Sequence, residues 1–376
     1  MIKANRLEKV FGSPTDGVRA VDDVTFDVAT GELFVIMGLS GSGKSTLLRM
    51  LNRLVEPTSG ELHVDGRDVL SMAEPDLREL RNRKINMIFQ HFALFPHRTV
   101  RENAAYGMRV RGISQTERME RADWALRTVG LGHRGDAYPH ELSGGMRQRV
   151  GLARALATDA EVLLMDEPFS ALDPLIRRDM QDLLLTLQRD LRRTIVFVTH
   201  DLNEAMRLGD RIMVMRDGRV VQLGTVPEIL RSPADDYVSD FVSDVDRSRV
   251  LTASIVMREP LVTAHTEDDP QDVLRRLSNI EAGGAYVLDF RGRVVGVARD
   301  DLLAQAAGAG QSNLLECMAD GFDRAGPDTL LVELCDRVGQ HSVPLAVTDD
   351  DGKLLGVVPR AALLSALADP RKAAHV

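Results

Sequence analysis

One stretch constrains this chain more than any other: Gly38-Leu39-Ser40-Gly41-Ser42-Gly43-Lys44-Ser45-Thr46. The spacing G-x-x-x-x-G-K-[ST] describes a phosphate loop. Its glycines let backbone N–H groups turn toward a polyphosphate, and the helix that follows adds the positive end of its dipole. Lys44 then reaches the β- and γ-phosphates and Ser45 is placed to ligate Mg²⁺. Gly38, Ser40, Gly41, Ser42, Gly43 and Thr46 complete the cradle. Such a loop needs a buried strand before it and a helix after it. Leu33-Phe34-Val35-Ile36-Met37 supplies the strand. Leu47, Leu48, Leu51 and Leu54 fall on one face at helical spacing, and Pro57-Thr58-Ser59-Gly60 stops that helix. A nucleoside triphosphate is thus the expected ligand, ATP in our reading, but a phosphate loop alone does not separate a kinase, a GTPase or a motor.

Two further apolar runs, Val162-Leu163-Leu164-Met165 and Ile195-Val196-Phe197-Val198, suit strands covered on both faces of a parallel sheet. Residues 21–28 alternate and predict antiparallel strands. Residues 115–129 read as a polar helix, the sort of insert that stands apart from a sheet. A polar, breaker-rich segment over 232–248 marks a boundary. Beyond it Gly292-Arg293-Val294-Val295-Gly296-Val297 is matched sixty positions later by Gly352-Lys353-Leu354-Leu355-Gly356-Val357. Each copy follows an amphipathic segment and a strand, and precedes a Leu-rich helix. Units this small are expected to pack as a pair.

The formal net charge is −9, and residues 252–376 alone carry 19 acidic against 12 basic side chains. That balance argues against binding nucleic acid or an anionic lipid face. No apolar run approaches the ~20 residues of a membrane span, and the first residues show no secretion signal. Cys317 and Cys335 lie outside any C-x-x-C pattern, which suits a reducing compartment.

Two motifs narrow the chemistry. Glu161-Val162-Leu163-Leu164-Met165-Asp166-Glu167 is an apolar strand ending in two carboxylates. Asp166 can hold Mg²⁺, and Glu167 can polarise an attacking water. Between this strand and the phosphate loop lies Leu142-Ser143-Gly144-Gly145, a second potential anion site at a helix start.

Phosphate loop, Leu-Ser-Gly-Gly and strand-Asp-Glu, in this order, resemble the ATPase subunits of ABC transporters. The resemblance implies further roles. Gln90 would touch Mg²⁺ and follow the permease, and the loop Ser170-Ala171-Leu172-Asp173 would cross a dimer interface. His200 would contact the γ-phosphate, and Phe11 would stack on adenine. It implies a homodimer in which each phosphate loop faces Ser143, Gly144 and Gly145 of the other copy. It also implies integral-membrane permease subunits that hold the chain at the cytoplasmic face, with an extracytoplasmic substrate-binding protein as an indirect partner. The stretches around Lys44, from Phe89 to His97 and over 142–156 are similar to glycine betaine/proline betaine importers, and the repeat resembles a tandem CBS pair known in that subgroup. The expected organisation is an α/β P-loop ATPase domain over 1–246, with an antiparallel β subdomain and a helical insert. CBS-like α+β repeats then follow over 252–308 and 312–370. An importer of another small solute, such as an amino acid, keeps the same chemistry. A soluble ABC protein acting on nucleic acid is opposed by the net charge, the single ATPase domain and the repeat.

The repeat departs from its family in one respect. Nucleotide-binding CBS modules carry Ser/Thr followed by Asp near the end of the last strand, to hold a ribose. Here those places hold Arg299, with Asp301 nearby, and Pro359. Nucleotide binding is therefore not expected, and the implied alternative is sensing of ionic strength. Screening would supply it, since the Debye length falls from ~10 Å at 0.1 M to ~3 Å at 1 M salt.

Overall fold

The computed structural model describes residues 1–12, 17–89, 94–243, 245–280, 283–319, 321–338 and 343–367. It divides into two compact units, Met1–Val242 and Ser243–Val376. The chain opens with strands β1 (Ile2–Phe11) and β2 (Val18–Val28), then β3 (Leu33–Met37) and helix α1 (Lys44–Met50). Next come β4 (Ser59–Val64), β5 (Arg67–Asp68), α2 (Glu74–Arg83) and β6 (Ile85–Ile88). The helices α3 (Val100–Val110), α4 (Gln115–Thr128) and α5 (Gly144–Ala157) follow. The unit is completed by β7 (Val162–Asp166), α6 (Pro174–Leu191), β8 (Thr194–Thr199), α7 (Leu202–Leu208), β9 (Arg211–Arg216), β10 (Arg219–Gly224), α8 (Val226–Arg231) and α9 (Asp236–Ser243).

Two sheets organise this unit. One is antiparallel, in the order β2-β1-β4-β5. The other has the order β10-β9-β3-β8-β7-β6 and is parallel from β9 to β6, with β10 antiparallel at its edge. Every residue of β3, β7 and β8 is buried, as expected of strands covered on both faces. A core cluster joins the sheets: Leu47, Leu48, Met50 and Leu51 pack with Ile2, Leu7, Leu62 and Val64 of one and Phe34, Leu164 and Val196 of the other. Helix α1 is thereby pinned in the middle of the unit.

That helix is shorter than its leucine spacing predicts. It ends at Met50, and Leu54 is half exposed. Arg53 takes a left-handed φ of +51°, and the N–H of Val55 bonds back to the carbonyl of Arg49 at 3.1 Å. The Arg53 guanidinium holds this turn through the carbonyls of Val69 and Met72, both at 2.9 Å.

Helices α3, α4 and α5 pack against one another beside the parallel sheet. A Thr99–Glu102 capping box starts α3. Arg101 ties the bundle together by ion pairs to Asp123 (2.6 Å) and Asp136 (2.5 Å).

The second unit is two copies of one β–α–β–β–α motif. A short helix α10 (Ala253–Val256) leads into β11 (Thr263–His265), α11 (Pro270–Ser278), β12 (Gly284–Leu288), β13 (Val294–Arg299) and α12 (Asp300–Gly308). The second copy is β14 (Arg324–Ala325), α13 (Leu331–Val338), β15 (Leu345–Thr348), β16 (Leu354–Val358) and α14 (Arg360–Leu367). Each sheet has a parallel first pair and an antiparallel second pair.

The copies exchange edges. Arg258, ahead of the first, bridges Val357 of the second, and Ala319, ahead of the second, bridges Val297 of the first. Val294 donates to the carbonyl of Gly352 at 3.0 Å and Leu354 to that of Gly292 at 3.1 Å, a reciprocal pair about a pseudo-dyad. Tyr286, Val297, Ala346 and Val357 form the buried seam, so the repeats do pack as a pair.

Candidate nucleotide site

Three neighbouring parallel strands deliver the site at their C-terminal ends. β3 runs into the phosphate loop, β7 ends on Asp166 with Glu167 next, and β8 ends on Thr199 with His200 next. Lys44, Ser45, Asp166, Glu167 and His200 therefore converge because the strands that carry them are side by side.

Within the loop, Gly38 (φ +149°) and Gly43 (φ +96°) are demanded twice. The conformation disfavours a side chain, and a Cβ would meet the carbonyl oxygen of Met215 or of Ala20 at 2.2 Å. Lys44 is buried, and its Nζ donates to the carbonyls of Gly38 and Leu39, each at 2.8 Å. Burial pulls its ammonium below the usual lysine range, and the charges of Glu167 and Asp166 oppose that.

Asp166 is held at both oxygens. Ser45 Oγ donates to Oδ1 at 2.7 Å, and Arg49 Nη2 lies 3.1 Å from Oδ2. Ser45 and Arg49 are four residues apart, so they share one face of α1. Glu167 adopts φ +45°; its N–H bonds the carbonyl of Val198 at 3.0 Å, and its own carbonyl accepts from Ser170 Oγ at 3.0 Å. His200 Nδ1 lies 3.0 Å from Glu167 Oε2. The His200 side chain is 56% exposed and that of Glu167 21%, so solvent water can reach the pair. A carboxylate and an imidazole that water can reach, within the electrostatic reach of a buried lysine, can bind a phosphate and activate a water.

A second group forms around α5 and α6. Ser143 caps α5, its Oγ accepting the Met146 N–H at 3.3 Å, and Asp173 caps α6, its Oδ1 accepting the Ile176 N–H at 3.1 Å. Gly145 permits the close approach of these helices, since a Cβ there would lie 2.4 Å from Ile176 Cγ2, whereas Gly144 faces open space. Phe11 closes β1 with its ring 46% exposed and Lys9 Nζ 5.0 Å from its centroid. Ser40 is exposed on the loop, and Thr46 is half-buried in α1. Gln90 lies outside the described residues.

Two neighbours of the site receive no role from the sequence motifs. Arg49 could have been found from its spacing to Ser45. Gln148, buried in α5, donates to the carbonyl of Pro168 and so connects α5 to the turn after Glu167. Its signal is a polar side chain on an apolar helix face, inside the 142–156 stretch that carries the resemblance.

Family models place this geometry. One for ABC transporters matches residues 21–170, and one for CBS domains matches 251–307 and 316–369. The chain is 46% identical over 370 residues to the glycine betaine transport ATP-binding protein OpuAA of Bacillus subtilis, covering 98% of this chain and 88% of that one. It belongs to the ABC transporter ATP-binding subunits of the glycine betaine/proline betaine family. This ABC ATPase is also 48% identical over 350 residues to the glycine betaine/proline betaine transport system ATP-binding protein ProV of Escherichia coli, which spans 92% of this chain and 87% of that protein. Its fold resembles the dimeric post-hydrolysis structure of the ATP-binding cassette MJ0796 bound to ADP and Pi, with TM-score 0.56, 34% identity, and coverage of 60% of this chain and 99% of that one. No helix of the described residues is long and apolar enough to cross a membrane.

Proposed function

We propose that this chain hydrolyses ATP to drive import of quaternary ammonium osmolytes of the glycine betaine and proline betaine class. The ATPase domain is assigned to residues 1–246 and the CBS-like repeats to 252–308 and 312–370. Support for the cargo is similarity along nearly the whole chain to transporters that carry it. The observation that carries the hydrolytic chemistry is the 3.0 Å approach of His200 to Glu167, beside Lys44 and Asp166.

In this reading the loop from Gly38 to Thr46 wraps the β- and γ-phosphates, with Lys44 exchanging loop carbonyls for phosphate oxygens. Phe11 offers its open ring face to adenine. Glu167 takes a proton from the attacking water as the water oxygen bonds to the γ-phosphorus. The bond to the bridging oxygen breaks, and ADP leaves with its electron pair. His200 orients Glu167 and contacts the γ-phosphate. The Ser45 hydroxyl and the Asp166 carboxylate form an oxygen donor set suited to Mg²⁺, with Gln90 as a further ligand. When bound, the ion neutralises charge on the phosphates.

Ser143, Gly144, Gly145 and Asp173 belong to the second half of the site, contributed across a homodimer. Permease subunits hold that dimer at the cytoplasmic face and couple its closure to transport of cargo delivered by an extracytoplasmic binding protein. The acidic repeats set the response to ionic strength. Arg299 and Asp301 form an exposed two-bond ion pair at 2.9 and 3.0 Å, the kind of contact that salt screens. In vesicles that contain the chain with its permease, labelled glycine betaine is expected to accumulate on ATP addition. Transport of an amino acid in its place would overturn the cargo.

A further inference from the structure

Hydrolysis as described leaves a buried charged group on α6 and α7 unused. Glu204, on α7, is 3% exposed. Its Oε2 accepts from Thr199 Oγ1 at 2.6 Å and its Oε1 from Gln181 Nε2 at 3.2 Å. Thr199 precedes His200, and its Oγ1 also accepts the N–H of Asp201, which follows His200, at 2.9 Å. His200 is thus held on both sides through one hydroxyl bonded to Glu204. Burial raises the Glu204 carboxyl above its usual range, opposed by the bond from Thr199. A carboxylate kept in such a place is costly unless its partners are fixed.

Arg177, on α6, joins this group to another. Its Nη1 donates to Asp201 Oδ2 at 3.0 Å and its Nη2 to the carbonyl of Leu172 at 3.2 Å. Its Nε faces Glu204 Oε1 at 3.8 Å, too far for a hydrogen bond. That Nε is a buried donor with no acceptor among the described residues. Leu172 belongs to Ser170-Ala171-Leu172-Asp173, so one guanidinium spans this loop and the His200 turn. It also keeps one donor in reserve, aimed at Glu204.

We propose that Arg177 and Glu204 are positioning residues for hydrolysis, tying the 170–173 loop to His200 so that a shift of the loop resets His200 against Glu167. The proposal rests on the assignment of Glu167 and His200 to hydrolysis. A small movement of Arg177 toward α7 turns the 3.8 Å charge contact into a hydrogen bond and carries Asp201 with it. The device needs the fork of an arginine, because an ammonium cannot hold Leu172, Asp201 and Glu204 in one plane.

ATPase kinetics of the full-length chain test this with R177M, R177K, E204Q and the double variant R177M/E204Q. Methionine keeps the aliphatic stem and loses every donor. In E204Q one orientation of the amide faces Thr199 with an NH₂ and the other faces Gln181 and Arg177. R177M and E204Q are each expected to lower kcat about tenfold and leave KM for ATP within about twofold. The double variant is expected to fall no further than the slower single one, because both act on one network. R177K is expected to recover only part of the loss.

Unchanged kcat in R177M, kcat and KM moving together, or losses that multiply in the double variant would overturn the proposal. If R177M does not fold, R177K and E204Q carry the same comparison. E167Q is measured alongside: turnover retained there contradicts the hydrolytic assignment itself, whereas its loss beside a normal R177M sinks only the tether.

Discussion

Glu167 occupies a left-handed backbone conformation at φ +45°, a strain of about 1–3 kcal/mol that its bonds to Val198 and Ser170 hold in place. Glutamine there keeps the size and the backbone contacts but cannot accept a proton at neutral pH. E167Q is therefore expected to bind ATP normally and to lose about 10²–10⁴-fold in turnover, read as nucleotide retention against phosphate release. Tyr286 supports a prediction of another kind. Burial pushes its phenol up to about 12, while its hydroxyl donates to the carbonyl of Pro344 at 2.7 Å. The folded state thus favours the neutral phenol. Its contribution is complete below the unfolded value near 10 and is lost as pH rises from there toward 12. In alkaline unfolding of the full chain, Y286F should lack that component of the loss. Lys44, Asp166 and Glu167 are legible because each sits in a short local run, whereas His200 is named only through the resemblance to ABC ATPase subunits. Arg177 and Glu204 were not legible, since they matter through partners that only packing on α6 and α7 brings near.

Among the elements, strands are more legible in the sequence than helix ends. β3, β7 and β8 are continuous apolar runs with one interpretation in a parallel sheet. The early stop of α1 was hidden because Leu51 and Leu54 keep helical spacing after the helix has ended. What ends it is Arg53, whose long-range bonds to Val69 and Met72 hold a conformation that its type disfavours.

The sixty-residue repeat was visible, but the reason for its two glycines was not. Gly292 and Gly352, at φ +77° and +82°, turn the hairpins. Gly296 and Gly356 make room for the exchanged segments: a Cβ on Gly356 would lie 3.0 Å from the Arg258 carbonyl oxygen and 3.2 Å from Met257 Sδ. Gly356→Val is accordingly expected to destabilise the repeat pair by about 1–3 kcal/mol, seen as a lowered unfolding midpoint of the C-terminal unit.

For the whole molecule, the sequence showed an ATPase followed by a repeat, and the likeness to betaine transporters extends over both. The edge exchange between repeats could not be read beforehand, because it depends on pairing across about a hundred residues, as between Arg258 and Val357. Regulation belongs to this scale. Removal of residues 252–376 is expected to leave ATPase activity and flatten its dependence on salt between ~0.1 and ~1 M, where screening changes most. An unchanged salt profile would make the repeats a structural appendage.

Hydrolysis at the Lys44–Glu167 site is expected to power osmolyte import. ATP-driven uptake of labelled glycine betaine into vesicles holding the complete transporter, compared between the natural chain and E167Q, tests it most directly. Uptake with the natural chain and none above background with E167Q, despite retained ATP, is the predicted result. Undiminished uptake by E167Q, or ATP hydrolysis by the natural complex without any uptake, would contradict it.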